Sequence, residues 1–143
     1  MTVRERIREK LVELTGYLAD LEAQQTLGWP EFQENIMLRR GIERTLQMAI
    51  ECMLDIGNLL IADHRWRAPE SNRAVFHVLA EQGVIPAQAL PSYEKMAGFR
   101  NILVHEYAKV EPAIVYGTLK RGPADMERFK NYVSAYLRGA TSL

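Results

Sequence analysis

GIERTLQMAIECMLDIGNLLIAD, residues 41–63, decides the fold class. Ile42, Leu46, Ala49, Met53, Ile56 and Leu60 recur at steps of four and three, the spacing that puts side chains on one face of an α-helix. Ile50, Leu54 and Ile61 widen that face, so two or more neighbours must cover it. The segment therefore reads as the central helix of a bundle, predicted over residues 31–62. Its other face carries Arg44, Gln47, Glu51, Asp55 and Asn58, a polar stripe that either meets water or lines a cleft.

Working outward, Val3, Ile7, Leu11, Leu14, Leu18 and Leu21 predict an amphipathic helix over residues 2–25, broken by Gly28, Trp29 and Pro30. After the central helix, HRWRAPESN is a connector, and Ser71 is a candidate N-cap for a short helix ending at Gly83. A further helix is expected to begin near Pro86 or Pro91 and run to about Ala108. Pro112 suits the first turn of a short helix ending at Gly122, and Pro123 is expected to open a separate last helix reaching Arg138. No useful stretch alternates with period two, so no sheet is predicted. The expectation is an all-α bundle, a single domain over residues 1–143, with two long antiparallel helices and two to four shorter ones.

Eighteen basic and eighteen acidic residues leave no formal net charge in a chain of 143 residues. That argues against a dedicated DNA-binding module, which relies on a basic surplus, and favours self-association. The single Cys52 allows no internal disulfide. The charged start MTVRERIREKLVEL does not resemble a signal peptide, and no apolar run is read as a membrane span, so a cytoplasmic setting is expected.

The residues that carry chemistry gather in RNILVHEY, residues 100–107. His64, at the end of the long helix, and His77, on the short one, read as structural or surface histidines. His105 differs because Arg100 and Asn101 precede it and Tyr107 follows. On a helix Asn101 and His105 share a face, so the amide is a candidate to bond the imidazole and set its tautomer. Arg100 points about 140° away from His105 at the usual ~100° per residue. A two-fold dimer bringing two such segments together would instead assemble two arginines and two histidines at one site. Such a site suits RNA cleavage: imidazoles move protons to and from the ribose oxygens, and guanidinium groups stabilise the phosphorane. Glu51 and Asp55 are the candidate partners that would fix the Arg100 guanidinium. Neither a zinc-type ligand spacing, nor Glu-x-x-His pairs, nor a phosphate-binding glycine loop is present, so no metal or cofactor is implied.

KMAGFRNILVHEY, residues 95–107, resembles the R-x4-H-x-Y signature of the HepT-like HEPN family. The likeness extends to residues 41–63 and to RAVFHVLAEQGVIP, residues 73–86, and so covers most of the chain. It implies a HEPN-type bundle that dimerises with its motifs at the interface. It also implies metal-independent RNA cleavage by Arg100 and His105, with Asn101 in support, as a toxin. A small nucleotidyltransferase antitoxin, MntA-like, would be the partner, silencing the toxin by transferring AMP to Tyr107. RNA, with tRNA one candidate, would be the substrate. The alternative is a HEPN module in which Arg100 holds a nucleotide phosphate without cleavage; a third reading is a structural dimer.

Overall fold

The computed structural model describes the backbone of residues 1–141 and the side chains of residues 1–139. Among the described residues it is all helical, with six α-helices: α1 (Val3–Glu22), α2 (Trp29–Glu34), α3 (Ile36–His64), α4 (Asn72–Glu81), α5 (Leu90–His105) and α6 (Pro112–Thr141). Two single 3-10 turns flank α5, at Ala87–Ala89 and Tyr107–Lys109.

Local chemistry explains most boundaries. Thr2 caps α1 reciprocally with Glu5, each satisfying a backbone N–H of the other. The helix predicted over residues 31–62 is interrupted at Asn35, whose side chain accepts from the Leu38 N–H at 3.0 Å and starts α3 afresh. Ser71 caps α4 through the Ala74 N–H, as its sequence position suggests. Gly83, at φ +76°, turns the chain out of α4.

The last quarter of the chain corrects the sequence reading. The two helices expected on either side of Pro123 are one, α6, with Pro123 inside it. A proline there withdraws the N–H that the Leu119 carbonyl, four residues back, would normally receive. The Gln25 side-chain amide, from the connector after α1, donates to that carbonyl at 2.7 Å instead. Tyr116 and Lys120 of α6 reach the same connector, donating to the Leu27 carbonyl at 2.8 Å each. These bonds make an interior proline tolerable and fix α6 against the end of α1.

α3 is central, as its broad apolar face implies, and touches every other α-helix. It lies antiparallel to α1, since Lys10 pairs with Asp55 while Leu21 and Gln24 share a groove with Leu38 and Ile42. By length and composition α3 is apolar enough to cross a membrane, yet Leu46, Ala49, Ile50, Met53 and Ile56 are fully enclosed by the bundle. Phe76 of α4, Tyr93 of α5 and Phe129 of α6 meet with ring centroids 5.5–5.9 Å apart, and the Tyr93 hydroxyl donates to the Asp125 carbonyl at 2.8 Å. This aromatic junction sets the position of α5, the helix that carries the candidate chemistry.

Candidate active site

α5 begins with Pro91 in its first turn, where a missing N–H costs nothing, and ends at His105, three residues short of the predicted limit. Its buried side chains, Tyr93, Met96, Ala97, Phe99 and Leu103, leave Arg100 half-buried and His105 exposed. The large angular offset between Arg100 and His105 is therefore real: one side chain turns toward α3 and the other toward solvent.

Arg100 donates from Nε to Glu51 Oε2 at 3.0 Å, with the two side chains only 20% and 27% exposed. The same carboxylate oxygen accepts from Gln47 at 3.1 Å. Glu51 thus pairs with Arg100. Asp55 does not. One turn further along α3, it is paired with Lys10 of α1 at 3.2 Å, because that cation is the one packed beside it.

Asn101 also differs from expectation. Its Oδ1 accepts from Asn72 Nδ2 at 2.9 Å and from Arg100 at 3.2 Å, so it ties the start of α4 to the arginine rather than bonding the imidazole. Among the described residues nothing hydrogen-bonds the His105 ring. His105 and Asn101 nevertheless line one open cleft of about 570 Å³, together with Asn58, Ser71, Asn72 and Glu106. The other histidines have structural surroundings. His64 bonds the Leu60 carbonyl and stacks on Trp66, and His77 pairs with Glu94 at 2.7 Å.

Tyr107 follows α5 in a 3-10 turn, half-exposed at 51%, and its hydroxyl donates to the carboxylate of Glu43. That hydrogen bond, then partial burial, then the charge of Glu43 push the phenol above its ordinary pKa, against the opposing pull of Arg40. Glu43, only 6% exposed, is not among the candidates that motif spacing offers. A signal existed: Glu43 falls on the row of Leu46, Ile50 and Met53, so an acid occupies an otherwise buried, apolar position. A carboxylate there requires a partner, and Tyr107 supplies it.

Comparison with known proteins bears on this geometry. The profile of a family described as "Ribonuclease HepT-like" matches residues 7–133. An mRNA nuclease HepT of Shewanella oneidensis is 29% identical over 105 residues, covering 73% of this chain and 79% of that protein. A tRNA nuclease HepT of Aphanizomenon flos-aquae is 22% identical over 132 residues, covering 92% and 90% of the respective chains. Among solved structures, a tri-AMPylated Shewanella oneidensis HEPN toxin in complex with an MNT antitoxin superposes with a TM-score of 0.81 at 27% identity, over 90% of this chain and 96% of that one.

Proposed function

Since the chain belongs to the ribonuclease HepT-like family, we propose that it is the ribonuclease toxin of a toxin–antitoxin pair, a single domain working as a homodimer in the cytoplasm. The observation that carries this reading is the arrangement around α5. An exposed imidazole, His105, opens into the cleft lined by Asn101, and Asn101 together with Glu51 holds the Arg100 guanidinium on the α3 side of the same helix. Because Arg100 and His105 diverge on one helix, the reacting phosphate is shared between two copies related by a two-fold axis.

The chemistry then uses this chain's own groups. A neutral His105 takes the proton from a ribose 2′-hydroxyl as that oxygen attacks the adjacent phosphorus. The bond from phosphorus to the 5′-oxygen breaks, and a protonated His105 from the second copy supplies that oxygen's proton. Arg100 faces the charge that develops on the phosphorane oxygens, in the forked geometry a lysine lacks. The products are a 2′,3′-cyclic phosphate and a free 5′-hydroxyl, and no metal takes part.

Tyr107 is the proposed site of control by an MntA-like nucleotidyltransferase antitoxin. Its oxygen bonds to the α-phosphorus of ATP, pyrophosphate leaves, and the proton passes to Glu43, which already accepts it in a hydrogen bond. An anionic adduct two residues from His105 would exclude RNA by bulk and charge. The AMPylated state of the similar Shewanella toxin supports this assignment.

The test is cleavage of total RNA, tRNA included, by purified protein in EDTA, comparing wild type with His105→Ala and Arg100→Ala. Cleavage by wild type alone, leaving cyclic phosphate ends, is the expected result. Folded wild type that is inert, with Tyr107 shown unmodified by mass spectrometry, would overturn the nuclease reading in favour of the nucleotide-holding module.

A further inference from the structure

A neutral chain must still hold a polyanion, and its cations are unevenly partnered. Arg67, Arg100, Arg128 and Lys130 each face a carboxylate. Arg73, Lys95 and Arg121 do not: among the described residues none of them has an ion-pair or hydrogen-bond partner. Yet these three, from α4, α5 and α6, converge on one pocket of about 410 Å³ whose lining contains no acid. Phe99, Ile102 and the exposed Ile114 form its apolar part.

Two glycines let the guanidinium groups lie where they do. A Cβ at Gly98 would sit 3.1 Å from Arg73 Cζ, and one at Gly117 would sit 2.6 Å from Arg121 Nη2. Both arginines therefore rest on bare helix backbone, with their donors turned along the surface rather than consumed by neighbours.

The pocket also lies close to the cleft, since Asn101 and Ile102, adjacent on α5, line one each. Gly98 precedes His105 by seven residues, which on a helix is about 10 Å of rise and a change of direction of only about 20°. Asn72, bonded to Asn101 in the cleft, is the chain neighbour of Arg73 in the pocket. The imidazole and the pocket holding the three cations thus lie beside neighbouring stretches of α5.

We propose that Arg73, Lys95 and Arg121 form a phosphate subsite for the RNA strand, next to the nucleotide being cut, with Phe99, Ile102 and Ile114 receiving its base or ribose. Arginine suits this role through its planar, two-pronged donors, and the apolar wall suits an unstacked nucleotide. The subsite rests on the ribonuclease reading but adds a substrate grip to it: these residues govern binding, whereas His105 and Arg100 govern chemistry.

The test is fluorescence anisotropy with a labelled 2′-O-methyl single-stranded oligoribonucleotide, which lacks the attacking hydroxyl, over a series of salt concentrations. Three proteins are compared: wild type, Arg73→Gln/Lys95→Gln/Arg121→Gln, and an equally charged control, Arg6→Gln/Arg8→Gln/Arg138→Gln. Each phosphate contact on a single strand contributes about 0.7 to the slope of log K against log salt, so the pocket variant should lose about 2 and the control nothing. Cleavage by the pocket variant should show a raised KM with kcat within a few-fold of wild type. Gly98→Ala, which keeps every charge but displaces Arg73, should raise KM in the same direction. Equal losses in pocket and control variants, or none in either, overturn the subsite. Because the oligonucleotide cannot be cut, that outcome is separate from failure of the nuclease itself, which the cleavage assay reads directly. ATP binding that is lost in the pocket variant while oligonucleotide binding is unchanged would also overturn it, by assigning the three cations to the nucleotide donor.

Discussion

Replacing Glu51 with glutamine should separate the anchoring of Arg100 from its charge. The pair joins side chains that are 20% and 27% exposed at 3.0 Å, between the exposed and the fully buried extremes. Exposed pairs contribute about 0.2–1 kcal/mol, and removing one partner of a buried pair costs about 3–5 kcal/mol. A hydrogen bond to a charged group contributes about 1.5–3 kcal/mol net, against about 0.5–1.5 for a neutral one. Glutamine can still accept a hydrogen bond from the charged Arg100, so Glu51→Gln removes only the ion-pair attraction, which at this partial exposure is about 1 kcal/mol. For a chain of 143 residues, with unfolding entropy of about 2.1 cal/mol/K per residue, this is about 3 °C in Tm. The same ~1 kcal/mol, spent on a loosened guanidinium in the transition state, lowers kcat about five-fold with KM little changed. A double-mutant cycle with Arg100→Gln, read by thermal melts and by single-turnover RNA cleavage, measures the coupling. Effects of Glu51→Gln that persist undiminished once Arg100 is gone would refute the anchoring argument.

Three further outcomes follow from the packing. Gly57→Ala puts a Cβ 2.6 Å from Val75 Cγ1 and 3.2 Å from Leu79 Cδ1, where α3 meets α4; valine's stiff χ1 makes overpacking (about 1–3 kcal/mol) outweigh the ~1 kcal/mol helix gain, so urea melts should shift to lower midpoints and activity should fall as Asn72 moves. Cys52 is buried, and burial first, then the charge of Glu13, push its thiol from about 9 up to about 12. Native protein should therefore resist thiol reagents, and the thiol's contribution to stability, complete below pH ~9, should disappear as pH rises toward the folded pKa, visible as a fall in Tm that is shallower in Cys52→Ala. Glu43→Gln should bring the Tyr107 phenol back toward its ordinary pKa in an ultraviolet titration referenced to Tyr107→Phe, and should slow AMP transfer by mass spectrometry while RNA cleavage continues; unchanged AMP transfer would remove Glu43 from the proton path.

What the sequence discloses and what it withholds divide along locality. The apolar seam of α3, the Ser71 cap, the turn at Gly83 and the divergence of Arg100 from His105 are all set by residues within a few turns of one another, and all are legible. The pairing of Glu51 rather than Asp55 with Arg100 is not, because two acids one turn apart are equivalent until α1 brings Lys10 beside one of them. Spacing along α5 pairs Asn101 with His105, but α4 supplies Asn72 as the competing donor. Glu43 could have been found by asking which charged residue interrupts an apolar row. Its partner Tyr107, at a separation of 64 residues, could not be found by spacing. Asn35, between the polar Gln33 and Glu34 and the apolar Ile36, Met37 and Leu38, gives little warning that it ends one helix and begins another.

The proline inside α6 has a consequence for inheritance. Its missing donor is supplied from residue 25, on a different part of the chain, so the two positions are not free to drift separately. A lineage that lost Gln25 first would carry an orphaned carbonyl on buried Leu119, a burden of about 1–3 kcal/mol. One that first exchanged Pro123 for a residue with an N–H would carry none, and Gln25 would then be released to change. The order of substitution is therefore directional: the proline can leave before the glutamine, and the glutamine must arrive before the proline.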